Sequence, residues 1–287
     1  MVTIGCVSYL NARPLTDGLE AEPSLRVASD VPSRLLGRLL AGDVEIALCP
    51  IIDYQRAPVE LCIVPVGAIG SEGQTLTVRL FAERPFSEVS RVAVDGDSRT
   101  SVALLQVLLR DLYGTVAQLE PLPAGPPPQR LPPGIDAILL IGDKVVTAAP
   151  SLPYQLDLGE AWRSLTGLPF VFATWLSPIT SDLGELPELL LRCRDRNRHR
   201  VRELAAAHAS AAGWPVALAE HYLGTLLRYD IGRRELEAVT TFWSKCHETG
   251  LLGELRPLRL YPLKAGGEGE VAGPRPITTP GEPIGPG

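Results

Sequence analysis

Pro32-Ser33-Arg34-Leu35-Leu36-Gly37-Arg38-Leu39-Leu40-Ala41-Gly42-Asp43-Val44-Glu45-Ile46-Ala47-Leu48-Cys49-Pro50 is the stretch that decides the fold class. A proline at the start presets the first turn of a helix. Leu35, Leu36, Leu39 and Leu40 then recur at the three- and four-residue spacing of one helical face. Gly42-Asp43 ends the helix, and Val44–Cys49 (VEIALC) is short, apolar and closed by Pro50, so it reads as a buried strand. Another apolar run, Val2–Val7, lies upstream. Strand, helix and strand in that order form a β-α-β unit, which implies a largely parallel sheet.

Further along, Leu61–Val66 and Thr75–Ala82 add strands; in the second, Thr77, Arg79 and Phe81 alternate against Leu76, Val78 and Leu80. The pattern then restarts. Arg91–Val94 is a strand, Asp95–Ser98 a polar turn, and Ser101–Tyr113 a helix with Val102, Leu105, Leu108, Leu109 and Leu112 on its apolar side. Pro121–Pro133 holds seven prolines and reads as a surface loop. Ile135–Ile141 and Pro169–Leu176 are strands. Beyond Leu183 the spacing is helical over Leu186–Ala212, Val216–Tyr229 and Arg233–Thr249. This order predicts two α/β lobes, 1–85 with 178–262 and 86–177, crossing near Phe81–Pro85 and Thr174–Pro178. Residues 263–287 read as a disordered Gly/Pro-rich tail.

Composition narrows the function classes. The chain has 287 residues, enough for two modest cores, and an apolar share of 45%, as in ordinary globular proteins. A net charge of -6 argues against general binding to nucleic acid or anionic membranes. The basic run Arg192–Arg202 reads as a solvated helix face. No basic leader precedes the first strand and no apolar stretch reaches a membrane span. The five cysteines, Cys6, Cys49, Cys62, Cys193 and Cys246, are scattered without a CxxC pair, so neither disulfides nor structural zinc are expected. A cytoplasmic protein is the expectation.

Chemistry is concentrated where strands hand over to helices. Ser8-Tyr9-Leu10-Asn11 follows the first strand and carries neutral donors suited to orienting a carboxylate or ether oxygen. An Asx-type turn capping the next helix is an equal alternative. Ser98-Arg99-Thr100-Ser101 opens an apolar helix, where free N–H groups and the helix dipole favour an anion. Capping is again the alternative, and Arg99 points either to a carboxylate or to solvent. Gly142-Asp143-Lys144 ends a buried strand, where Gly142 lets a ligand approach the backbone; Lys144 reads as part of a surface ion pair. Ser71, in a glycine-rich loop, and Cys49-Pro50 are weaker candidates. The chain has no Walker loop, GxGxxG, HExxH or GxSxG pattern. All four histidines, His199, His208, His221 and His247, lie in the C-terminal helical region. Any catalysis would therefore rest on orientation and hydrogen bonding.

Several motifs in order resemble the chorismate dehydratase family of the futalosine route of menaquinone biosynthesis. They are Ile4-Gly5-x-Val7-Ser8-Tyr9-Leu10-Asn11-x-x-Pro14-Leu15, Leu40-x-Gly42-x-Val44-x-Ile46-Ala47-Leu48-x-Pro50, Ser98-Arg99-Thr100-Ser101-Val102-Ala103-Leu104 and Leu140-Ile141-Gly142-Asp143-Lys144. Asp157-Leu158-Gly159-Glu160-x-Trp162, Leu165 to Ala173, Tyr222-Leu223, Tyr229-x-x-Gly232 and Phe242 fit as well. The resemblance implies a two-lobed fold like that of type II periplasmic binding proteins, with a ligand cleft between the lobes and C-terminal helices. It implies dehydration of chorismate to 3-(1-carboxyvinyloxy)benzoate, without cofactor or metal. Asn11 is then the expected catalytic residue, with Ser8, Cys49, Pro50, Ser71, Ser98, Arg99, Thr100, Ser101 and Gly142 binding substrate. No nucleic acid or membrane partner is implied, and a homodimer stays open.

Two rivals share that fold. One is a non-catalytic small-molecule binding protein. The other is the sister 1,4-dihydroxy-6-naphthoate synthase, which the resemblance gives a histidine near the place of Gly142.

Overall fold

The computed structural model describes residues 1–122 and 125–263. Residues 264–287, and with them nearly all of the expected tail, lie outside the described residues. The strands are β1 (Val2–Val7), β2 (Leu25–Asp30), β3 (Ile46–Pro50), β4 (Leu61–Ser71), β5 (Val78–Ala82), β6 (Arg91–Val94), β7 (Gln118–Pro121), β8 (Ala137–Ile141), β9 (Tyr154–Asp157), β10 (Phe170–Pro178) and β11 (Leu227–Arg228). One sheet has the order β11-β4-β10-β3-β1-β2 and the other β7-β6-β8-β5-β9.

The expected largely parallel sheet needs correction. β1 pairs in parallel with β2 and β3, but β10 runs antiparallel to both β3 and β4, and β11 to β4. In the second sheet β6 is parallel to β7 and β8, while β5 is antiparallel to β8 and β9. Each sheet therefore has a β-α-β half and a half built around a strand arriving from the other lobe. That arriving strand enters from the cleft side and so runs against its neighbours. Because β5 belongs to the second sheet and β10 to the first, the chain crosses at residues 72–77 and 167–169. The expected crossings near Phe81–Pro85 and Thr174–Pro178 lie too far along by several residues.

The β-α-β reading of Pro32–Pro50 holds in detail. Pro32 sits in the first turn of the helix Pro32–Leu40, which buries Leu35, Leu36 and Leu39 against the sheet, while Leu40 turns outward. All five residues of β3 are buried. Arg99–Tyr113 is a fifteen-residue helix as expected, starting two residues early.

Two long helical expectations break up. Leu186–Ala212 splits into Leu186–Arg198, Val201–His208 and a short turn at Ser210–Ala212. At the break, the fully buried Asn197 donates from Nδ2 to the Asp17 carbonyl at 3.0 Å, fastening the turn to the loop after the first strand. Val216–Tyr229 is helical only to His221; a π turn, Tyr222–Leu226, follows, and then β11, which pairs Leu227 and Arg228 with Ser71 and Gly70.

Much of the resembling sequence builds core rather than site. Trp162, Phe170 and Phe242 meet edge-to-face with centroids 5.0 to 6.0 Å apart, and Trp162 Nε1 donates to the Pro169 carbonyl at 2.9 Å. This cluster closes the second crossing against the helix Arg233–Glu248. Among the described residues no helix is long and apolar enough to cross a membrane.

Candidate active site

The ends of the strands in both sheets border one cleft, open to solvent. Val7, Tyr9 and Asn11 reach it from the end of β1, and Pro50 from the end of β3. Ile69, Phe172, Ala173 and Leu227 come from β4, β10 and β11. Asp97, Ser98, Ser101, Ile141 and Gly142 come from the second lobe, Thr75 and Thr77 from the first crossing, and Tyr222 from the π turn.

Asn11 does not cap a helix. Neither the turn Leu10–Ala12 nor the helix Arg13–Thr16 has a side-chain cap, and Asn11 Oδ1 is buried with no hydrogen-bond partner among the described residues. A buried acceptor left empty costs about 1–3 kcal/mol, so something must offset it. Ser98 does cap: its Oγ accepts from the Ser101 N–H at 3.3 Å and lies 2.9 Å from Ser101 Oγ. Both hydroxyls line the cleft, because residues three apart share a helix face. Capping and lining coexist there.

The other expected binding residues sit elsewhere. Ser8 is exposed and off the cleft wall, since alternation along the strand end sends Val7 and Tyr9 inward instead. Cys49 is fully buried within β3, and burial pushes its thiol well up. Ser71 is buried and donates to the Gly73 carbonyl at 3.1 Å. Arg99 and Thr100 turn away from the cleft and tie the lobes together. Arg99 Nη1 donates to both Asp53 oxygens at 3.1 and 3.2 Å, and its Nη2 to the Ser33 carbonyl at 2.7 Å. The buried Thr100 hydroxyl accepts from the Ile52 N–H at 3.3 Å.

Asp53 has no solvent exposure, and burial lifts its carboxyl above the usual range although Arg99 and Arg56 pull it down. Arg99→Ala removes the buried charge's partner and is expected to cost about 3 kcal/mol at pH 7. A folded pKa above the unfolded one means the folded state holds the extra proton as pH falls through that window. The deficit therefore shrinks on acidification toward pH 4. Urea melts at pH 7 and pH 5 test this, and an equal deficit at both would contradict it.

Across the mouth, Tyr9 Oη donates to Asp97 Oδ2 at 3.3 Å, and Lys144 Nζ reaches Asp95 at 2.7 Å and Asp97 at 3.2 Å. Lys144 thus pairs with the turn after β6 and not with its neighbour Asp143. Burial works against its ammonium, but the bonds and charges of Asp95 and Asp97 hold its pKa above the ordinary lysine value. Asp143 accepts from Trp214 Nε1 at 2.8 Å; burial raises its carboxyl against that bond. Asp97 is the one charged side chain among the described lining residues, and no histidine is among them. The site can hold an anion through hydroxyls, amides and the N-terminus of the helix Arg99–Tyr113.

Sequence reasoning missed the third wall. Thr75 and Thr77 read as ordinary strand residues, and Tyr222 lay inside an expected helix. The signal that was present is Asp157-Leu158-Gly159. The Asp157 carboxylate accepts from the Thr75 N–H and hydroxyl, the Leu76 N–H, and the Gly159 and Glu160 N–H groups. A Cβ on Gly159 would lie 2.3 Å from Thr75 and 2.5 Å from the Gly73 carbonyl, so only glycine admits this approach.

The fold is that of periplasmic binding proteins. The chain matches the periplasmic aliphatic sulphonate binding protein of Escherichia coli with a TM-score of 0.63 at 17% identity, over 88% of this chain and 94% of that one. A structural-genomics protein from Archaeoglobus fulgidus matches with a TM-score of 0.65 at 14% identity, over 88% of this chain and 98% of that one. A Candida albicans protein described as having the generic periplasmic binding protein fold matches at 10% identity with a TM-score of 0.61, over 93% and 99%. In sequence, a Thermus thermophilus protein named chorismate dehydratase is 31% identical over 244 residues, 77% of this chain and 86% of that relative. The menaquinone biosynthesis family matches residues 2–248. With the motifs in order, the cleft between two lobes and a match over nearly the whole described chain, this protein belongs to the menaquinone biosynthesis family.

Proposed function

We propose that this protein is a chorismate dehydratase, converting chorismate to 3-(1-carboxyvinyloxy)benzoate and water. The observation that carries the reading is the cleft's polar set: neutral hydroxyls and the unspent Asn11 acceptor, with no histidine or lysine among the described lining residues. Support also comes from the relative of that name, similar over most of its length. The reaction breaks a ring C–H bond and the neighbouring ring C–OH bond. The hydroxyl leaves with the pair of electrons from C–O, the C–H pair becomes ring π density, and the proton ends on the departing water. Aromatisation supplies the driving force, so orientation matters more than a strong base.

Asp97 is the cleft's own carboxylate, but its Oδ2 already accepts from Tyr9 and Lys144. The substrate's enolpyruvyl carboxylate is the better proton acceptor, because it arrives attached beside the C–H bond. Asn11 positions the reacting end, while Ser98, Ser101 and the helix N-terminus behind them hold a ring or side-chain carboxylate. Gly142 in the place given to a histidine in the sister naphthoate synthase favours the dehydratase. We take residues 1–71 with 170–263 and residues 78–166 as the two lobes that enclose the substrate.

Incubation of the purified protein with chorismate is expected to yield an aromatic product lighter by one water, read by absorbance and mass. Chorismate recovered unchanged from a protein that binds it would overturn the reading in favour of a non-catalytic binding protein.

A further inference from the structure

Two buried phenols sit near the cleft, and they are not equivalent. Tyr222 is 2% exposed and lines the cleft, with its hydroxyl 2.8 Å from the Thr77 hydroxyl and under the influence of the Asn11 amide beside it. The Tyr229 hydroxyl is also buried, but it has no hydrogen-bond partner among the described residues and its ring is off the cleft wall.

The backbone is specialised at the first of the two. The helix Val216–His221 runs into a π turn at Tyr222–Leu226, closed by the Leu227 N–H donating to the Tyr222 carbonyl. Residues five apart on a regular α-helix point about 140° away from each other. Here Tyr222 and Leu227 both line the cleft. Such turns are rare and are concentrated at functional sites.

We propose that Tyr222 is a positioning residue for the dehydration, ordering the Thr77 hydroxyl and the Asn11 amide as a donor and acceptor pair around the departing hydroxyl. This rests on the dehydratase reading. A departing hydroxyl needs a donor to its oxygen and an acceptor for its hydrogen. Asn11 Oδ1 is an acceptor that no described residue uses. Between Tyr222 and Thr77 there are two hydroxyl hydrogens and a single shared contact, so one hydrogen occupies the contact and the other is free. The Asn11 amide serves the phenol oxygen as a donor, so in the proposed arrangement Tyr222 donates to Thr77 and the Thr77 hydrogen is left free at the cleft wall. Burial raises the Tyr222 phenol far above neutrality, so it keeps its proton and the arrangement persists across the working pH range.

The test compares Tyr222→Phe, Tyr229→Phe, Thr77→Val and the Tyr222→Phe/Thr77→Val double variant with the wild type on chorismate. For Tyr222→Phe, kcat is expected to fall by about tenfold to a hundredfold with KM within about threefold, as for a misplaced reacting group. Tyr229→Phe keeps wild-type kcat. The double variant loses less than the product of the two single losses, because part of the Tyr222 effect runs through Thr77. Wild-type kcat in Tyr222→Phe, a loss confined to KM, an equal loss in Tyr229→Phe, or multiplicative losses in the double variant would each overturn the proposal. A wild type that forms no aromatic product instead removes the dehydratase reading itself. Should Tyr222→Phe fail to fold, the kcat and KM of Thr77→Val decide: a loss carried in kcat supports the pair, and unchanged kcat overturns it.

Discussion

Asn11→Ala is expected to lower turnover of chorismate by about a hundredfold to a thousandfold, equivalent to about 3–4 kcal/mol of transition-state stabilisation. The folded protein should meanwhile be no less stable than wild type. The second half follows from the same atom as the first. Oδ1 is buried and accepts no hydrogen bond among the described residues, so its removal relieves a desolvation penalty that offsets the lost contact of the amide with Tyr222. Stability held in reserve against function is a common trade at sites shaped for a ligand. Steady-state kinetics together with a thermal melt test both halves. Full turnover in the variant would remove Asn11 from the mechanism. A melting temperature several degrees below wild type would mean that its role is structural.

How far the site was legible from sequence depends on the local geometry of each segment. Asn11, Pro50, Ser98, Ser101 and Gly142 all stand at strand ends, and in α/β proteins the cleft forms there. Ser8, Arg99 and Thr100 stand in the same clusters but point elsewhere, as the two-residue period of a strand and the three-to-four-residue period of a helix require. Period could have sorted each cluster before any coordinates were known. Thr75, Thr77 and Tyr222 were not legible in this way. They come from a crossing segment and a π turn, and neither leaves a periodic trace in sequence.

The fold shows the same division. Buried strands such as β3 and β8 announced themselves as apolar runs. β2, β7 and β9 went unread, and each lies at the edge of its sheet with mostly partly or fully exposed residues. An edge strand is held by backbone hydrogen bonds on one side only, and its side chains need not alternate in polarity. The misplaced crossings have a related cause. β5 and β10 are both buried and read correctly as strands, but which sheet a buried strand joins depends on long-range pairing that local patterns do not carry.

The stability of the crossing itself is concentrated in one carboxylate. Asp157→Ala is expected to destabilise the protein by about 4 kcal/mol and to lower its melting temperature by about 10 °C. The buried carboxylate gathers the N–H groups of Thr75, Leu76, Gly159 and Glu160 with the Thr75 hydroxyl, and Arg79 stands 3.7 Å away. Removing it strands several donors that cannot reach water, each at about 1–3 kcal/mol before relaxation. It also frees Leu76, which is held at a φ of +66°, the one non-glycine residue with positive φ among the described residues. Such backbone strain persists only while its surroundings enforce it. Asp157→Asn restores little, because all these hydrogen-bond partners are donors and an amide turns one of its own N–H groups against them. Loosening the segment moves Thr75 and Thr77 on the cleft wall, so kcat should fall along with the loss of stability. A melting temperature within 2 °C of wild type, a shift worth less than about 1 kcal/mol for a chain of this size, would refute the assignment of Asp157 as the anchor of the crossing.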